Sequence, residues 1–200
     1  MGIKEKHLQF WEDSCSLNDF QRWCGRPLKW KTDICQYIIK NDYKNILDVG
    51  CGTGSIKEIL DQKNYLGNYK GTEITKKFID LCGRKNIPVD NMNVENLKYP
   101  DNTFDCVLLL DVLSHQLDFK KPILELIRVS NKSIIIAFFK SFETPSRIVQ
   151  RCENLIYHHL DQKEIKDFLD NLDVRYEFVA TNFKNRPDNL YITKNKGETK

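Results

Sequence analysis

The ten residues Asn45–Gly54, NILDVGCGTG, constrain this chain more than any other stretch. Ile46, Leu47 and Val49 make a short apolar run with β-branched members, the pattern of a buried strand. Gly50, Cys51, Gly52, Thr53 and Gly54 follow at once, and Ile56–Leu60 opens an apolar pattern at helical spacing. Strand, glycine turn and helix form the first half of a doubly wound nucleotide-binding unit. Glycines let the backbone turn tightly and let a ligand approach without meeting a side chain. The helix after them turns its free N–H groups and positive dipole end toward that ligand. Asp48 places a carboxylate near the end of the strand, where burial is costly without a partner. A cationic ligand group would be such a partner.

The glycine spacing is G-x-G-x-G. A nicotinamide-dependent oxidoreductase predicts G-x-G-x-x-G, so the spacing argues against that class. Tyr69–Ile74 reads as the second strand and ends near Glu73, 19 residues after Gly54. In βαβ nucleotide sites an acidic residue at about this distance accepts hydrogen bonds from ribose hydroxyls. A carboxylate suits the role because it offers acceptors to two neighbouring donors. Further on, residues 93–115 read NVENLKYPDNTFDCVLLLDVLSH, with turn chemistry at Pro100–Asn102 and a strand at Cys106–Leu110 that is apolar on both faces.

D-V-G-C-G-T-G together with this second stretch resembles class I S-adenosylmethionine-dependent methyltransferases. The general form is nearest to the ubiquinone-biosynthesis-like group. Specific motifs cover residues 45–138 and weaker ones continue to the end of the chain. The resemblance implies that Gly50, Cys51, Gly52 and Gly54 hold the methionine part of the cofactor, with its amino group near Asp48. It implies that Glu73, followed by Ile74, meets the ribose. Asn93 stands where the family usually has aspartate; its amide oxygen can still accept a hydrogen bond from the adenine amino group. Val94 offers its backbone N–H to an adenine ring nitrogen, and Glu95 and Leu97 flank the adenine. Asp111, Ser114 and His115 follow the fourth strand, where ligands bind in open α/β sheets, so Asp111 belongs both to the cofactor site and beside the transferred methyl. Asp111 and His115 are the candidate general bases; a helix-end histidine satisfied by backbone is the alternative for His115. Methyl transfer needs a base only when the nucleophile arrives protonated.

Residues 1–44 carry all three tryptophans, Trp11, Trp23 and Trp30. They either cap one edge of the core or form a helical lid that builds an acceptor pocket; the resemblance implies the lid. Residues 45–200 then form the cofactor-binding domain of a single globular unit. Lys and Arg exceed Asp and Glu by only 31 to 28, and no basic arm appears, which argues against a nucleic-acid substrate. A small-molecule acceptor is the first expectation. RNA, a protein side chain, or a non-catalytic cofactor-binding module are the alternatives. The seven cysteines include no C-x-x-C pair and no zinc spacing, so no metal is expected. The longest apolar runs are far short of a membrane span, and the chain reads as cytoplasmic.

The remaining pattern predicts helices over 31–40, started at Thr32 or Asp33, over 76–82, stopped by Gly83, over 121–129, with a Glu125–Arg128 surface pair, and over 161–172, capped by Asp161. It predicts strands at 87–90 and 133–138, irregular chain over 139–158, and a closing antiparallel pair at 174–180 and 190–193. The expected architecture is α/β: a Rossmann-like, seven-stranded, mostly parallel sheet with an antiparallel last strand, in three αβα layers.

Overall fold

A computed structural model describes residues 5, 9–14, 28–139, 142–152, 155–181 and 186–195. The elements run α1 (Lys29–Lys40), β1 (Asn45–Val49), α2 (Ser55–Gln62), β2 (Asn68–Glu73), α3 (Lys76–Arg84), β3 (Val89–Asn91), β4 (Phe104–Leu110), α4 (Lys120–Val129), β5 (Ser130–Ala137), β6 (Arg147–Cys152), β7 (Leu155–His159), α5 (Gln162–Leu169), β8 (Val174–Val179) and β9 (Asn189–Lys194). One helical turn, Phe10–Ser14, precedes them, and a 3₁₀ turn, Leu113–His115, follows β4. The main sheet has seven strands in the order β3-β2-β1-β4-β5-β9-β8, with β9 antiparallel to both neighbours. This is the expected Rossmann-like architecture.

Alternation along the strands sorts side chains to two faces. Leu47, Val49, Val107, Leu109, Ile134 and Ile136 pack with α4 and α5; Ile46, Cys106, Leu108 and Ile135 pack with α1 and α2. Strand order reverses between β1 and β4, which pair in parallel with Asp48 opposite Leu108 and Val49 opposite Leu109. The chain connections leave to opposite sides there, opening the crevice in which such sheets bind ligands.

Four local expectations change. The first helix begins at Lys29, with Leu28 as an N-cap that makes no side-chain hydrogen bond, because Trp30 and Lys31 are already buried. Gly83 does not stop α3, which runs on to Arg84. The segment 139–158 contains the β6–β7 hairpin, a separate two-stranded sheet packed by β7 against the Leu113–His115 turn. Its charged and amide residues hide any period-2 pattern. Arg128 does more than pair with Glu125: its guanidinium also donates to Leu97 O at 2.6 Å and Tyr99 O at 2.8 Å, fixing the loop before β4. Asp161 caps α5 as expected, accepting from Lys163 N–H at 2.7 Å. No helix among the described residues is long and apolar enough to cross a membrane, and no His/Cys/Asp/Glu group among them could hold a metal ion.

Candidate cofactor and acceptor site

The glycine turn is built by left-handed backbone. Gly50, Gly52 and Gly54 have φ of 69°, 55° and 79°, a region where a side chain is strained. A Cβ on Gly50 would come 2.5 Å from Val112 Cγ2. The turn therefore lies pressed against the chain leaving β4. Gly50 and Cys51 N–H both donate to Thr72 O, at 2.8 and 3.0 Å, tying the turn to the end of β2.

Glu73 completes that tie. It is 8% exposed and accepts from Gly52 N–H at 3.0 Å, Ile74 N–H at 2.8 Å and Thr75 N–H at 3.0 Å. Burial raises its pKa, and the three N–H donors counter part of that rise. The ends of β1 and β2 thus meet at one carboxylate. Ile74 is exposed, and its contribution is the backbone N–H.

Asp48 is 2% exposed and already has a partner that the sequence did not suggest, the hydroxyl of Tyr69 at 2.8 Å. Burial pushes its carboxyl up to about 6 despite that bond and the nearby Lys31. Lys31 is itself buried and donates to Ser55 Oγ at 2.8 Å, at the start of α2. A buried ammonium beside the positive end of a helix makes a strongly cationic corner. Asp48 and Lys31 set opposite charges at one corner that could hold an amino-acid end, while the N–H groups of Gly50, Gly52 and Gly54 are bonded within the protein.

Across β2, Asn93 forms a turn with Asn96, and its Oδ1 accepts from Glu95 N–H at 2.8 Å. Val94 is buried in the core and Glu95 is half-buried. All three thus sit in the loop after β3, beyond the carboxyl end of the sheet.

Asp111 ends β4 with φ 62°, its N–H bonded to Ala137 O at 2.9 Å. Its carboxylate is gripped by Arg186, Nη2 to Oδ1 at 2.6 Å and Nη1 to Oδ2 at 3.3 Å. The Arg186 guanidinium lies 4.0 Å over the Trp30 ring. Sequence reasoning missed Arg186 because it sits in the turn-rich connection before β9, where no periodicity points to it. His115 sits in an aromatic group: its ring is 5.0 Å from Trp11, edge-on, and 5.2 Å from Tyr157 of β7, which lies 5.8 Å from Phe139. Glu12 bridges from the Phe10–Ser14 turn to α3, accepting from Lys76 N–H at 2.7 Å and Lys77 Nζ at its carbonyl. That turn therefore spans from the end of β4 to the end of β2. Of the three tryptophans, Trp11 packs edge-on against His115, Trp30 is buried in the α1 core, and Trp23 lies outside the described residues.

An open αβα sheet with a glycine turn at its crossover and acidic side chains at the ends of β1, β2 and β4 defines a nucleotide-type binding fold. Residues 47–138 match the family model described as "Methyltransferase domain". The match takes in 92 of the chain's 200 residues, and over that segment the chain is similar to methyltransferases. It is 28% identical over 134 residues to demethylmenaquinone methyltransferase of Bacillus licheniformis, a match covering 64% of this chain and 56% of that enzyme. The chain thus spans only about half the length of that curated relative. Its fold is that of magnesium protoporphyrin IX methyltransferase from Synechocystis, solved with S-adenosylhomocysteine (TM-score 0.73, 15% identity, 96% of this chain and 100% of that one). It is also that of a Burkholderia thailandensis 1,6-didemethyltoxoflavin N1-methyltransferase (TM-score 0.70, 15% identity, 98% and 92%).

Proposed function

We propose that this protein transfers a methyl group from S-adenosylmethionine to an O, N or C nucleophile of a small molecule. The observation that carries the reading is the Gly52–Glu73 hydrogen bond, which joins a glycine turn and a buried carboxylate at adjacent strand ends. Bound S-adenosylmethionine would supply an activated methyl on a sulfonium. Lys31 fits its carboxylate, Asp48 its ammonium group, Glu73 the ribose hydroxyls, and the 93–95 loop the adenine. What remains for the protein is to hold the acceptor in line and to exclude water. The Phe10–Ser14 turn is suited to serve as the lid, with Trp11, His115, Tyr157 and Phe139 as apolar walls. His115 is the better candidate base, since Asp111 is engaged by Arg186. Relatives named for a quinone, a porphyrin and a toxoflavin precursor support a small, ring-containing acceptor. The buried free thiols among the described residues, Cys35, Cys51, Cys82 and Cys106, support a reducing, cytoplasmic setting.

Calorimetry with S-adenosylhomocysteine and with methylthioadenosine, which lacks the amino-acid end, tests the reading. Lys31→Met is expected to weaken the former by about tenfold, the size of one charge-assisted hydrogen bond, and to leave the latter unchanged. Glu73→Ala should weaken both. No binding of either compound by the parent protein sinks the proposal.

A further inference from the structure

Trp30 carries two cations on one ring. The Arg186 guanidinium lies 4.0 Å from the ring centroid and the Lys31 ammonium 5.5 Å. Trp30 is 4% exposed and Lys31 6%. Arg186 is held from its other edge by Asp111, at 2.6 Å. Lys31 Nζ donates to Ser55 Oγ at 2.8 Å, and its charge acts on Asp48. A continuous set of contacts thus runs from the end of β4, through Arg186 and Trp30, to the corner where α1 meets the start of α2.

The first turn of α1 needs such an anchor. Leu28 gives it no side-chain cap, and a helix start without one is held less firmly. The Lys29–Asp33 pair in the same turn is exposed and contributes little. Burial of Trp30 and the guanidinium on its ring are left to fix the turn. A guanidinium suits the task because it is planar, stacks on an aromatic face and keeps its charge at any working pH. Its Nε has no hydrogen-bond partner among the described residues, so Asp111 and the indole face are what seat it there. Asp111 also offsets the charge that would otherwise repel Lys31 on the same indole.

We infer that Arg186 is a positioning residue: seated on Asp111, it holds Trp30 and so fixes Lys31 at the cofactor corner. The connection before β9 is thereby coupled to the hold on the cofactor's carboxylate. The role of Lys31 rests on the methyl-transfer reading; the anchoring of α1 by Arg186 stands on the contacts themselves.

Two measurements on the full-length protein and its Arg186→Met variant test this. The first is amide hydrogen exchange without ligand. The N–H groups of Lys31 and Thr32 both bond to Leu28 O, at 2.9 and 3.1 Å. In Arg186→Met they are expected to exchange about tenfold faster relative to the amides of β1. The second is calorimetry. Arg186→Met is expected to weaken S-adenosylhomocysteine about threefold, to leave methylthioadenosine unchanged, and to add no further loss in a Lys31→Met background. A merely structural role would weaken both ligands alike. Trp30→Phe, which shrinks the aromatic face, should repeat both effects and covers the case in which Arg186→Met fails to fold. Unchanged relative exchange at Lys31 and Thr32, equal weakening of the two ligands, or full additivity with Lys31→Met overturns the proposal. If the parent protein binds neither compound, methyl transfer fails, and the exchange result alone decides whether Arg186 anchors α1.

Discussion

Asp48 is a carboxylate that accepts from the Tyr69 phenol, and burial pushes it up to about 6 despite that bond, with two consequences. The folded-state pKa exceeds the unfolded value, so the native state binds the proton more tightly. Its contribution becomes less favourable as pH rises from about 4 through 6, by an amount on the order of 3 kcal/mol. Asp48→Asn should therefore raise the melting temperature at pH 7.5 and flatten the pH dependence of stability across that window. Cofactor binding runs the other way. An ammonium needs the ionised carboxylate, so S-adenosylhomocysteine affinity should fall as pH drops below 6 in the parent and stay level in Asp48→Asn. Identical profiles would remove Asp48 from the site. Glycines give a sharper contrast. Gly54→Ala combines φ 79° with a Cβ 2.4 Å from Ile87 Cδ1 and should cost about 2 kcal/mol in urea unfolding. Gly83→Ala, helical and facing open space, should stabilise by about 0.5–1 kcal/mol.

At the scale of elements, the parallel sheet was legible because its central strands β1, β4 and β5 carry apolar runs bounded by glycine, asparagine and proline signals. The turn at Gly50–Gly54 and the acidic end of β2 were legible because their chemistry is local in sequence. Long-range partners were not. Tyr69 meets Asp48 only through β1–β2 register, and Arg186 reaches Asp111 across 75 positions of chain. The β6–β7 hairpin stayed hidden because its apolar residues come in adjacent runs, Ile148–Val149 and Leu155–Tyr157, between arginine, glutamine and histidine, and do not alternate. Arg128 shows how one helix residue can hold a loop. Its bonds to Leu97 O, Tyr99 O and Asp101 replace backbone pairing in the 97–101 segment. Arg128→Met, which keeps the aliphatic stem, should cost about 1–2 kcal/mol and speed amide exchange in that segment relative to β4. Unchanged exchange would show that the loop holds itself.

For the molecule as a whole, the proposed cofactor site draws on β1, β2, the 93–95 loop and α1, so a bound cofactor should raise global stability and not only local order. At a hundredfold excess over its Kd, S-adenosylhomocysteine adds about 2.7 kcal/mol, which for a chain of this size shifts the melting temperature by roughly 5–10 °C. A thermal scan with and without the ligand checks this, and an unshifted midpoint contradicts the proposed site. Trp11→Ala should reduce acceptor affinity while leaving that thermal shift nearly intact, because Trp11 packs against His115 beyond the end of β4.

The β6–β7 hairpin shares no backbone pairing with the seven-stranded sheet among the described residues. Its residues can accordingly be rewritten without disturbing the hydrogen-bond ladder that positions the glycine turn. Under the proposed methyl transfer, an engineer grafting the hairpin from one relative into another would change the acceptor side while leaving the sheet that carries the glycine turn unaltered.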